Sequence, residues 1–167
     1  MPRRTAVGIC VAVGLLWTLR SGLALGGPDD RDPETAHDWA AVLSLSVAFA
    51  SLAAGMLALG TLAEPTTWFR TAAGGIAVGG LVAAVGNILD NAVQARGGAL
   101  IWALGAAAVF AALVALVFAL LSERPRALAF VPVLTAIGIV TVAVGGGLLV
   151  LATWAWLAQR VAAGPEP

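Results

Sequence analysis

Residues 74–94, GGIAVGGLVAAVGNILDNAVQ, have the length of a helix that crosses a bilayer core and change character halfway along. Gly75, Gly79 and Ala83 recur every four residues, with Gly74, Gly80 and Ala84 in a neighbouring row. Small residues at that spacing let two helix backbones approach, and in lipid this replaces the missing hydrophobic drive for association. The same side then continues through Gly86 and Asn87 to Asp90, Asn91 and Gln94. A carboxylate or amide facing hydrocarbon costs on the order of 2–3 kcal/mol, so this side is expected to face the inside of a helix bundle.

The rest of the chain supplies partners for such a helix. The 167 residues are 60% hydrophobic and 11% charged, with a mean hydropathy of +0.97, a membrane protein's composition. Nine basic and nine acidic residues balance, which removes the electrostatic case for nucleic acid. Every basic residue is arginine, and with abundant alanine and glycine this matches a GC-rich bacterial genome. The partners implied are the lipid bilayer, other membrane proteins or a second copy, with no cofactor.

Five segments approach spanning length, at about 5–25, 33–62, 71–93, 99–121 and 127–158. The fold expected is all-α, a polytopic transmembrane helix bundle of five helices, or four if the first is a cleaved signal peptide. Arg3 and Arg4 before an apolar run resemble such a signal, but Arg20 interrupts the region where cleavage would fall, which favours retention. Asp32-Pro33-Glu34 reads as the cap and first turn of the second helix, and Glu64-Pro65 as its end. The last segment is longer than a bilayer requires, so it should tilt, kink at Pro132 or bend at Gly145-Gly146-Gly147.

Arginines in short loops favour the cytoplasm. An inside N-terminus puts Arg3, Arg4, Arg70, Arg124 and Arg126 in the cytoplasm and Arg31, Arg96 and Arg160 outside, and five spans put the C-terminus outside. Trp39, Trp102, Trp154 and Trp156 then mark the outer interface, and Trp68 with Phe69 the inner one.

The residues with chemical potential gather near the outer ends of the helices: Arg20, Ser44, Asn87, Asp90, Asn91 and Gln94, with Ser46, Thr18 and Thr153 at comparable depth. Arg20 is the natural partner for Asp90, as an ion pair or through water, because the first and third helices run in the same direction. Two readings compete, helix-end capping and a polar pocket open to the outside. A proton path lacks a carboxylate in the inner half of any helix. The acidic loop with Asp29, Asp30, Asp32, Glu34, His37 and Asp38 lacks the glycine turn and terminal glutamate of a calcium loop, and one histidine makes a poor zinc site. It reads as a solvated loop, with no metal. Cys10 reads as a small buried hydrophobe. No phosphate loop, nucleophile elbow or HExxH motif occurs.

From Gly86-Asn87-Ile88-Leu89-Asp90-Asn91 through the Trp-containing helix, the Arg-Pro-Arg connection and the final Gly-rich helix, the chain resembles small, uncharacterised multi-pass membrane proteins of actinomycete-like bacteria. In that pattern an acidic pair or Glu often follows Gly-Asn, and here Asp90-Asn91 takes its place. The resemblance implies no activity. The function expected is a non-enzymatic accessory or small ligand-responsive protein in the plasma membrane with an outer polar cluster around Asp90. The alternatives are a membrane-embedded enzyme acting on a lipid or isoprenoid, and an oligomeric channel or carrier assembled through the Gly75/Gly79 face.

Overall fold

The computed structural model describes residues 1–27, 33–62, 66–122 and 126–163. Among them are six α-helices and no strand: α1 (Arg3–Leu25), α2 (Ala36–Leu59), α3 (Thr67–Asn87), α4 (Gly98–Ser122), α5 (Phe130–Val140) and α6 (Gly147–Ala163). The first four are long and apolar enough to cross a membrane, counting the π turn Ile88–Ala92 that extends α3. This is the build of an all-α integral membrane protein. Each helix packs against its neighbours in sequence, and α6 closes the set by packing along α1. Trp17, Trp154, Leu52, Leu113 and Leu116 are among the side chains that fill the interior.

Local capping sets the helix starts. Thr35, not Asp32, caps α2: its hydroxyl accepts from the Asp38 amide at 3.2 Å while the Asp38 carboxylate accepts from the Thr35 amide at 2.9 Å. The expected cap at Asp32 lies outside the described residues, and the helix begins three residues after Pro33. Thr66 caps α3 by accepting from the Phe69 amide at 3.2 Å, which brings Trp68 and Arg70 into the helix.

The largest departure from the sequence reading is in the last segment. Instead of one long helix, a 3-10 turn (Arg126–Ala129) leads into α5, which stops at Val140, and α6 runs back beside it. Pro132 sits in the first turn of α5, where a missing amide proton costs little, so it starts this helix rather than kinking it. Gly145 takes φ +97°, open to glycine at little cost. A Cβ on Gly147 would overlap the Trp17 carbonyl and the Ser21 side chain, so glycine lets α6 begin against the backbone of α1.

The hairpin reverses the expected position of the C-terminus. Gly147 lies by Trp17, Leu151 by Gly14, and Arg3 Nη1 reaches the Ala162 carbonyl at 3.5 Å, so α6 runs antiparallel to α1 and its last turn sits beside the first turn of α1. Both described termini therefore lie at one end, and Arg160 lies there rather than opposite. Trp154 and Trp156 leave the interface assigned to them. Trp154 is fully buried, with its indole N–H donating to Thr135 Oγ1 at 3.1 Å, and Trp156 packs at a tilt of 56° against Phe130 with ring centroids 4.5 Å apart.

The first helix belongs to the core. Ala6, Cys10 and Trp17 are wholly buried, and Trp17 stands edge-on to Phe49 of α2. The four-helix arrangement without it would strip α6 of its main partner.

Gly75, Gly79 and Ala83 face α4. A Cβ on Gly79 would stand 3.0 Å from the Gly105 carbonyl oxygen, and one on Gly75 3.0 Å from the Ala112 side chain. A Cβ on Gly105 would overlap the Ala83 backbone, and one on Gly86 the Trp102 backbone. This face is taken up by α4 within the one chain.

Candidate functional site

The bundle has two unlike ends. Arg3, Arg4, Arg70, Arg126 and Arg160 lie at the end with the termini, here the basic end, while Glu34, Asp38 and Asp90 lie at the other, with Arg20 and Arg96. Among the described residues no acid sits at the basic end.

Asn87 is the centre of the polar end. It is 2% exposed on the last turn of α3, and its amide donates at 2.9 Å both to the Val42 carbonyl and to Ser46 Oγ on α2. Asn91 donates to Asn87 Oδ1 at 2.9 Å and to the Asn87 carbonyl at 3.2 Å. Both donors and the carbonyl oxygen of the Asn87 side chain are thereby engaged, a fully satisfied amide inside an apolar bundle. Glycine permits this. A Cβ at Gly80, two turns earlier, would crowd the Phe49 carbonyl of α2, so α2 and α3 approach closely enough for a short amide to span them.

Arg20 makes a second clasp on the other side of α2. It is 7% exposed, and its Nη1 donates to the Ala41 carbonyl at 3.2 Å; Ser44 Oγ donates to the same oxygen at 2.9 Å. Ser44 therefore meets Arg20, and Ser46 meets Asn87. No direct Arg20–Asp90 pair forms, because α2 lies between α1 and α3 and Arg20 bonds α2 instead. Among the described residues no hydrogen bond or ion pair joins Arg20 to Asp90.

Asp90 sits half-buried on the π turn, in which the Val93 amide bonds the Ile88 carbonyl at 3.0 Å. Gln94 ends that turn at φ +53°, the left-handed position usually given to glycine, and the Ala95 amide closes onto the Leu89 carbonyl at 2.7 Å. This exposed Gln94 shapes the turn that carries Asp90 and Asn91. Gly98 lets α4 start against the Asp90 backbone, where a Cβ would overlap it.

A third set of clasps holds α1 to the hairpin, and sequence reasoning did not single it out. Thr18 Oγ1 donates at 3.1 Å to the Gly147 carbonyl and Ser21 Oγ at 2.5 Å to the Val142 carbonyl. The available signal was the alignment of Thr18 and Ser21, three apart on one helix face, with a glycine triplet whose last member exposes its backbone.

The chemistry at this end is hydrogen bonding by amides, hydroxyls and the buried guanidinium of Arg20, with two carboxylates, the buried Asp38 in the cap of α2 and the half-buried Asp90. Among the described residues no group of three or more His, Cys, Asp or Glu side chains could hold a metal ion. Asp29, Asp30 and Asp32 of the acidic loop lie outside the described residues, while Glu34 and His37 are exposed. No family model matches the chain, and comparison with curated proteins and with solved structures finds no match.

Proposed function

We propose that the protein is a non-enzymatic integral membrane protein of a bacterial cytoplasmic membrane, an accessory subunit or small ligand-responsive protein, with both termini in the cytoplasm. The Asn87 clasp carries this reading: the polar side chains at that depth join helices to one another instead of lining an open cavity. The bacterial source rests on the arginine, alanine and glycine bias and on the resemblance to actinomycete-like membrane proteins. The orientation rests on Arg3, Arg4, Arg70, Arg126 and Arg160 at the end with the termini, against Arg20 and Arg96 at the other. Antiparallel α6 supports it by moving Arg160 to the richer side.

Green fluorescent protein fused after residue 163 should fluoresce, and alkaline phosphatase inserted after residue 96 should be active; the opposite pair of results overturns the orientation. For the function, tagged protein is purified from its native membrane in mild detergent, and co-purifying proteins are identified by mass spectrometry. A protein partner at near-equal stoichiometry, kept by Asp90→Asn, is expected. An Asp90-dependent conversion of a co-purifying lipid would overturn the reading in favour of a membrane-embedded enzyme. That second reading draws on one observation, the π turn under Asp90, a geometry frequent at functional sites.

A further inference from the structure

Glycines set the contact between α3 and α4. From Gly98 at Asp90, through Gly86 at Trp102 and Gly105 at Ala83, to Gly79 at Gly105, glycines hold the two backbones in contact. Gly75 against Ala112 is the last such approach before the basic end. Toward that end lies an open groove of about 560 Å³ lined by Thr66, Trp68, Ala115, Phe118, Ala119 and Ser122. On α4 these lining positions follow the spacing of a single helix face. Trp68 is 77% and Phe118 67% exposed, so the groove faces the surroundings of the bundle rather than its interior.

We propose that this groove is a binding site for a phospholipid with an anionic head group, taken from the leaflet at the basic end. The apolar floor of Ala115, Phe118 and Ala119 suits an acyl chain, and the volume lies within the roughly 300–1,000 Å³ of small-molecule sites. The hydroxyls of Thr66 and Ser122 stand at the mouth. Charge selects the head group. Arg70 is exposed one turn along α3 from Thr66, and its amide bonds the Thr66 carbonyl at 3.0 Å. Arg126 is exposed on the 3-10 turn that packs against α4. The connections 63–65 and 123–125, next in sequence to Thr66 and Ser122 and outside the described residues, carry Glu64, Glu123 and Arg124, so with Arg70 and Arg126 three arginines stand against two glutamates. An open groove beside this excess of positive charge fits a molecule with an apolar tail and a negative head.

This proposal rests on the reading that the chain spans a bilayer, and extraction of membranes with alkaline carbonate tests that reading separately, since a spanning protein stays in the pellet. The site itself is tested by native mass spectrometry of protein taken from nanodiscs containing equal amounts of phosphatidylglycerol and phosphatidylcholine. Wild type should keep one phosphatidylglycerol in preference to phosphatidylcholine. Arg70→Gln and Arg126→Gln should each reduce that preference by about fivefold while total bound lipid is kept. Ala115→Trp, a change at an exposed position, should fill the groove and remove the bound lipid of either kind without changing the melting temperature. Equal retention of the two lipids by wild type, an unchanged preference in both arginine variants, or undiminished lipid in Ala115→Trp would overturn the proposal.

Discussion

The two ends of this bundle treat polar groups in opposite ways. At one end, arginine, serine and asparagine side chains turn inward and join helices: Arg20 to Ala41, Asn87 to Val42 and Ser46, Ser21 to Val142. At the other, Arg4, Arg70, Arg126 and Arg160 are exposed, and the described acids are elsewhere. Glycine contacts follow the same division, since they join α3 and α4 from the polar end to the middle of the pair, and the open groove lies toward the basic end. Lipid offers helices little hydrophobic reason to associate, so close backbone contact and interhelical hydrogen bonds do that work. Where both are concentrated the bundle is closed, and the groove lies toward the other end, where Arg3 to Ala162 still joins α1 to α6.

The sharpest way to break this contrast is Gly105→Leu. Its Cβ alone would overlap the Ala83 backbone, so we expect a loss of more than about 3 kcal/mol and little monodisperse protein in detergent. Gly74→Leu, on the exposed side of α3 with open space around it, should change the melting temperature by no more than the scatter between preparations. Equal losses in the two variants would show that the glycines do not act through backbone contact.

Next in size is Asn87→Leu, which removes the clasp between α2 and α3 and leaves Ser46 and Asn91 without their partner. Roughly 1–3 kcal/mol should be lost in denaturant titration. Asp90→Asn, on the half-exposed π turn, should cost less than about 0.5 kcal/mol. The reverse order would return the structural role to Asp90. Trp154→Phe probes the middle of the bundle: it removes the far edge of the indole that packs on Gly55 as well as the hydrogen bond to Thr135, at a cost of about 2 kcal/mol. The last change has the opposite sign. Gln94→Gly relieves a left-handed backbone position and should stabilise by about 1 kcal/mol, read as a raised melting temperature.

Fold class was legible because length and apolarity alone identify spanning helices, and the four long ones were placed within a few residues. The α5–α6 hairpin was hidden inside an unbroken apolar run, although two signals were present. A single helix from residue 127 to 158 would be about 48 Å long, against about 30 Å of hydrocarbon. Gly145, Gly146 and Gly147 stand near its middle. Counting the run as two short helices would have put Arg160 with the other arginines of the basic end.

The partners of the polar residues were harder to read for a different reason. In water, the apolar stripe of a helix reveals which side is buried, but in lipid both the outward and inward sides are apolar. The sequence placed Arg20 and Asp90 at similar depth yet held no sign that α2 stands between them. It offered both Ser44 and Ser46 on α2, and only the rotation of that helix assigns Ser46 to Asn87 and Ser44 to the carbonyl shared with Arg20.

The closure of α6 onto α1 also carries a timing problem for the growing chain. Thr18 and Ser21 find their acceptors 129 and 121 residues downstream. At synthesis rates of roughly 5–20 residues per second, the first helix waits on the order of ten seconds before the last one emerges to cover it. During that interval the polar side of α1 must be sheltered by the insertion machinery or kept near its edge. Assembly is therefore completed by the segment made last, and a chain stalled before Gly147 would leave its first helix with one side unsatisfied in the membrane.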